Sequence, residues 1–233
     1  MNDKRTYIHS NPASSGLEDP PSAPGSSSTR EAILDTAERL FAEKGIDGTS
    51  IRDITGTAGV NLGSINYHFG SKQDLVAAVF MRRLEPIAQR QMAFLDEVER
   101  EAGDNPPRLE ALIEAMVRPS IEKSFAAGKR NTAFMRLVGR FYGDPDPEVE
   151  RQIRAQVEKV WKRFAGLLSR AVPGQTGEGI FWRIMFMAGT FHHTMLTMGR
   201  EGTIPPEVRK GLDAESLIRR LVAFTAAGMR AEL

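Results

Sequence analysis

The chain has 233 residues with 41% apolar content, enough for a small helical unit beside a larger core. It contains no cysteine, so disulfides and thiolate metal sites are excluded. Its formal net charge is +1, so affinity for a charged partner rests on placed residues and not on bulk charge.

Residues 1–28 hold Pro12, Pro20, Pro21 and Pro24 among serines and glycines, with no apolar run. Such a stretch cannot bury enough surface to offset its ordering entropy, so a disordered arm without a signal peptide is expected. From Thr29 to Lys44, the residues Ile33, Leu34, Ala37, Leu40 and Phe41 recur at helical spacing, with Ser28 or Thr29 as cap and Gly45 as stop. Ser50 and Asp53 form a capping-box pair that opens a second helix, with Ile51 and Ile54 facing inward. Ala58-Gly59-Val60 predicts a tight turn, where glycine supplies the left-handed conformation. Asn61 caps a short third helix, Leu62 to His68, which Gly70 breaks. Ser71, with Asp74 three residues on, caps a fourth helix running to about Glu101.

The remainder also reads as helix. Pro107 to Phe125 carries Leu109, Leu112, Ile113, Met116 and Val117, with Pro119 expected to bend or break it. A short apolar helix spans Asn131 to Tyr142, and Gly143 to Pro147 form a turn. Pro147 to Val172 shows Val149, Ile153, Val157, Val160, Phe164, Leu167 and Leu168 at spacings of three and four. Gly177 to Gly199 is almost wholly apolar, but Arg183, His192 and His193 argue for a buried helix and against a membrane span. The two histidines are adjacent and point about 100° apart on a helix, so they cannot chelate one metal in the i, i+4 manner. Asp213 caps a last helix to about Arg230. No segment alternates with period two, so the expected fold is all-α with about nine helices.

Two short helices joined by a glycine turn are the geometry that sets a recognition helix into a major groove, although a generic hairpin with solvated polar residues fits the same pattern. Ser64, Asn66, Tyr67 and His68 can all exchange hydrogen bonds, and Gly63 permits close approach of a backbone. The individual residues go further. The run Ile33 to Gly45 (ILDTAERLFAEKG) resembles the first helix of the TetR family of repressors. Thr49 to Ile54 (TSIRDI) and Ala58-Gly59-Val60 resemble its second helix and turn, and Ser64 to Leu75 (SINYHFGSKQDL) resembles its recognition helix and the start of its linker helix. The resemblance is continuous over about residues 30–80.

It implies a helix-turn-helix domain at 29–75 and a ligand-binding and dimerisation domain at 76–233. It places Thr49 and Ser50 on DNA phosphates, Arg52 on a phosphate or guanine, Tyr67 and His68 on the backbone or a base edge, and Lys72 on a phosphate. Ser64 and Asn66 become the base readers. Asn66 stands where the family often has Tyr, which shifts the expected base preference. Leu62 stands where a polar residue is common, and would touch a thymine methyl or simply pack. Lys4, Arg5 or Arg30 would brush the DNA, or the arm is only a solvated tail. Between Arg30 and Asp74 acids outnumber bases, but most of the acids fall on the first helix, which need not face DNA.

The resemblance also implies a homodimer through the last two helices and a small apolar or amphipathic effector. Met116, Phe134, Arg136, Arg140, Trp182, Phe186 and His193 are the candidate ligand residues; plain core packing, with the arginines reaching the surface, is the competing reading. The stretches Phe134 to Phe141 and Phe181-Trp182-Arg183 look like family members thought to sense fatty acids or acyl-coenzyme A thioesters. The expected protein is a cytoplasmic regulator released from a palindromic operator, with no cofactor and no metal. A helical enzyme is the rival class, opposed by the lack of a nucleophile elbow, phosphate loop or metal spacing. An activator would use the same reader.

Overall fold

The computed structural model describes residues 26–128, 134–139, 141, 145–198 and 202–232. The arm at 1–25, the start of the expected helix at 131–142, most of the following turn, and Arg140 lie outside the described residues. The helices are α1 (Ser26–Lys44), α2 (Ile51–Ala58), α3 (Leu62–His68), α4 (Lys72–Ala102), α5 (Leu109–Ala127), α6 (Pro147–Ala171), α7 (Gly177–Met198), α8 (Pro206–Arg209) and α9 (Ala214–Arg230). Residues 134–139 and 141 are helical as well, and no strand occurs among the described residues.

Side-chain caps cut the chain into these pieces. Ser50 and Asp53 exchange both bonds of a capping box: Asp53 N donates to Ser50 Oγ (3.1 Å) and Ser50 N donates to Asp53 Oδ2 (2.9 Å). Asn61 Oδ1 accepts from Ser64 N (2.9 Å), Ser71 Oγ from Asp74 N (3.0 Å) and Asp213 Oδ1 from Ser216 N (2.6 Å). Each such cap contributes about 1 kcal/mol. Gly59 closes α2 at φ +68°, the left-handed value that a side chain would disfavour. α1 starts at Ser26, three residues before the start read from the sequence.

The helices gather around two apolar clusters. The first joins Ile33, Leu34 and Phe41 of α1 to Ile54, Ile65, Leu75 and Phe80, and extends to Phe134, Leu137, Phe141 and Val149. The second joins Ala88 and Leu95 of α4 to α5, α6, α7 and α9. The 31 residues of α4 run through both, a rod of roughly 46 Å at 1.5 Å per residue. It packs on α1 at one end and on α5 and α6 along the rest.

Prolines interrupt both long central helices without ending them. Pro119 lies inside α5, which continues to Ala127, and Pro86 lies inside α4. A proline removes the N–H that would bond the carbonyl four residues back and presses on that turn. In each case the neighbouring helix donates to the next carbonyl along, three residues before the proline. Gln91 Nε2 of α4 donates to Met116 O (2.6 Å), three residues before Pro119. Lys123 Nζ of α5 donates to Arg83 O (2.9 Å), three residues before Pro86. These two bonds tie α4 and α5 together at the turns that precede their prolines.

Candidate nucleic-acid interface and ligand cavity

α3 has a single buried residue, Ile65, which pins it to the first cluster. The rest of it faces outward. Tyr67 is 80% exposed and Leu62 50%, and Gly63 and Asn66 are exposed too. The Tyr67 ring meets His68 edge-on at 4.9 Å between centroids. Ser50 and Arg52, at the start of α2, are exposed, and Lys72 opens α4 half-buried. Seven residues are too few for a helix to hold itself in water. Tyr67 is thus a large amphipathic ring left out of the core on a very short helix.

Three of the expected roles change. Thr49 is fully buried, and its hydroxyl donates to Gly45 O (2.7 Å) and Leu40 O (3.2 Å). That hydroxyl ties the end of α1 to the start of α2 and cannot reach a phosphate, which corrects the DNA-contact expectation for Thr49. A Cβ at Gly63 would stand 3.2 Å from Asn61 Oδ1, so glycine there makes room for the cap of α3. The Ser64 hydroxyl donates to the same oxygen (3.1 Å), so its first duty is also the cap.

The acids of α1 turn toward α4. Arg82 bonds Asp35 Oδ1 (2.8 Å), Glu38 Oε2 (2.8 Å) and Glu31 Oε2 (3.3 Å). Arg83 grips Glu38 with a fork, Nη2 to Oε1 (2.5 Å) and Nε to Oε2 (3.2 Å). Glu38 is 6% exposed, so this pairing lies inside the α1–α4 contact. At the far end of α1, the Arg30 guanidinium sits 5.4 Å from the Phe69 ring centre, just past α3.

A cavity of about 320 Å³ opens between α4, α5, the 134–141 segment, α6 and α7. That lies at the small end of the range for ligand sites. Its wall is mostly apolar, with Phe80, Phe134, Phe141, Ile153, Val157 and Met195. Phe80 also belongs to the first cluster, and its ring centre lies 5.9 Å from that of Phe134 and 4.9 Å from that of Phe141. Arg83, Ser120, Lys123, Ser124 and His192 add polar groups. Burial pushes the Lys123 pKa below the ordinary lysine value, and the nearby Arg83 charge adds to this while Glu38 opposes it. Burial likewise pushes His192 down, toward the neutral ring.

Of the candidate ligand residues among the described residues, only Phe134 lines this cavity. Met116 is buried in the second cluster, and Arg136 and His193 are exposed. Trp182 and Phe186 are 46% and 57% exposed, stacked on each other at 5.8 Å. With Phe181 and Met185 they make an outward apolar strip on α7, and Phe224 on α9 is 69% exposed. Met116, Arg136, Trp182, Phe186 and His193 do not line this cavity, which corrects the expectation that they meet a ligand in it. Periodicity cannot say which face of an all-round apolar helix meets the cavity, and His192, not its neighbour His193, turns in. Arg183, which looked able to face a ligand, is 2% exposed and donates to Met229 O (2.8 Å) and Ala231 O (2.6 Å), closing the end of α9. No helix among the described residues is long and apolar enough to cross a membrane, and no group of His, Asp or Glu among them is placed to hold a metal.

An all-helical frame that presents a short exposed helix beside a glycine turn defines a helix-turn-helix protein. Residues 33–79 match the family model described as bacterial regulatory proteins, tetR family, and residues 114–228 match the tetracyclin repressor-like C-terminal domain. The chain belongs to the TetR family. It is 35% identical over 89 residues to the transcriptional repressor KstR2 of Rhodococcus jostii, covering 38% of this chain and 42% of that protein. It is 28% identical over 148 residues to the transcriptional repressor BepR of Brucella suis, covering 61% of this chain and 66% of that protein. The first of these alignments thus spans less than half of the relative. The solved structure of the ketosteroid transcriptional regulator KstR2 of Mycobacterium tuberculosis shares the fold, with TM-score 0.54 and 22% identity over 87% of this chain and 95% of that one.

Proposed function

We propose that the chain is a dimeric repressor that grips a palindromic operator with α3 and is released by a small apolar or amphipathic effector. The observation that carries this reading is Tyr67, 80% exposed on a helix anchored by Ile65 alone. In this reading residues 29–75 are the reader, with Ser50, Arg52, Asn66, Tyr67, His68 and Lys72 as its contacts and Gly63 and Ser64 shaping its entry. Asn66 is the base reader, since a side-chain amide can pair with adenine through two bonds. Residues 76–233 sense and dimerise.

The exposed strip Phe181, Trp182, Met185 and Phe186, with Phe224, supports a two-fold contact through α7 and α9. The cavity supports an effector with an apolar body and a polar head, a fatty acid or its coenzyme A thioester. The shared ring cluster of Phe80, Phe134 and Phe141 lies between cavity and reader, so filling the cavity shifts α4 and the spacing of the two α3 helices. The cytoplasm, where operator DNA lies, is its place of action. The test is a gel shift with duplex selected from a random library. Tyr67→Ala and Lys72→Ala together should abolish the shift, and an unchanged shift would remove these contacts from the account.

A further inference from the structure

We propose that Arg83 is shared between two acids, Glu38 of α1 and the carboxylate head of an amphipathic effector in the cavity, so that the bound acid loosens α1 from α4. The proposal rests on the reading of the cavity as the effector site.

The Arg83 guanidinium has two neighbourhoods. On one side it holds Glu38 by a fork, with the Glu38 side chain 8% exposed. On the other it lies 5.5 Å from the centre of the Phe134 ring and lines the cavity. Lys123 stands beside it, bonded to the Arg83 carbonyl, and among the described residues no carboxylate lies within ion-pair distance of Lys123. Ser120, one turn back on α5, and the adjacent Ser124 also line the cavity. The acid in the cavity wall, Glu150, is already paired with Arg154. The cavity therefore offers a cationic, hydroxyl-lined corner facing an apolar wall, which fits a carboxylate on an alkyl chain.

A carboxylate at that corner competes for both cations. Taking Lys123 removes its bond to the Arg83 carbonyl, which ties α5 to the turn that Pro86 already weakens. Taking Arg83 leaves Glu38 with Arg82 alone. α1 packs on α2 and α3, so its release changes how Tyr67 is presented.

The test is titration calorimetry of the full chain with decanoate and with decanol, which share a chain length and differ in charge. Decanoate should bind at least tenfold tighter than decanol, and Lys123→Met, which leaves Arg83 in place, should narrow the difference without removing it. Glu38→Gln frees Arg83 and should tighten decanoate binding several-fold while leaving decanol unchanged; a merely structural role for Glu38 would not tighten anything. Glu38→Asp, which shortens the fork, should do the same to a smaller degree and serves if the first variant does not fold. Hydrogen exchange in α1 should rise with decanoate and not with decanol. Equal binding of the two probes, no binding of either, or Glu38 variants that fold and fail to tighten decanoate each overturn the proposal. Selected-duplex binding is measured in parallel: retained there, the reader stands when this proposal fails, and lost there with decanoate binding intact, the reader fails alone.

Discussion

Replacing Arg183 by methionine keeps most of the side chain's volume and removes its charge. The guanidinium is 2% exposed and donates to Met229 O (2.8 Å), Ala231 O (2.6 Å) and Gly179 O (3.2 Å). Two of these carbonyls end α9, where the helix has no donors of its own. Hydrogen bonds from a charged donor contribute about 1.5–3 kcal/mol each, and a cation at a helix C-terminus adds about 0.3–1 kcal/mol. Against this stands the cost of holding the charge out of water, several kcal/mol for a buried ion. The balance puts the loss in Arg183→Met at about 2–4 kcal/mol. For a chain of this size that lowers the melting temperature by roughly 4–16 °C, at about 2–4 °C per kcal/mol. Urea denaturation at fixed protein concentration measures it, since a dimer's stability depends on concentration. A change under about 0.5 kcal/mol, the level of an ordinary surface substitution, would refute the closing role.

Other expected outcomes follow from the same geometry. Thr49→Val should cost about 1–2 kcal/mol by removing the hydroxyl that joins α1 to α2, and leave duplex affinity of the folded protein unchanged; a selective loss of affinity would return Thr49 to the interface. Phe186→Glu with Trp182→Glu should yield folded monomers in sedimentation velocity, whereas intact dimers would move the interface off α7. Acid should melt the capped helices. The Ser71 hydroxyl, then Gln152, hold the Asp74 carboxyl below its ordinary 3.8, and the bonds from Arg151 and then Gln152 hold Glu148 at about 2, with burial opposing in each case. Folded values below unfolded ones mean stability that is present above about pH 4 and lost as pH falls toward 2. Circular dichroism melts across that window should show falling midpoints, and a flat profile would contradict the assignment.

The starts of α2, α3, α4 and α9 were legible because a cap is a local event: Ser50, Asn61, Ser71 and Asp213 each bond a backbone N–H three residues ahead, whereas α8 lacks a side-chain cap and was not read from the sequence. The surface of α3 was legible for the same reason, since one inward residue, Ile65, leaves the others outside. What failed was long-range. Thr49 looks like a phosphate ligand until the carbonyls of Leu40 and Gly45 fold over it. That Glu31, Asp35 and Glu38 pair with α4 was not legible, because Arg82 and Arg83 stand more than 40 residues away. Pro86 lies inside a periodic apolar pattern that does not reveal the turn carrying both arginines. On α7 nearly every residue is apolar, so the choice of Trp182 and Phe186 for the outside, and His192 for the cavity, depends on partners that no spacing reveals.

The central claim is that two copies of α3 read one duplex. Sedimentation equilibrium of the chain with a library-selected duplex should find two chains per duplex. Tyr67→Ala should weaken that complex by at least about thirtyfold, since each lost contact costs about 1–3 kcal/mol and occurs twice. Its melting temperature should stay unchanged, because the ring is 80% exposed. One chain per duplex, or a Tyr67→Ala protein that binds as the parent does, would contradict the account.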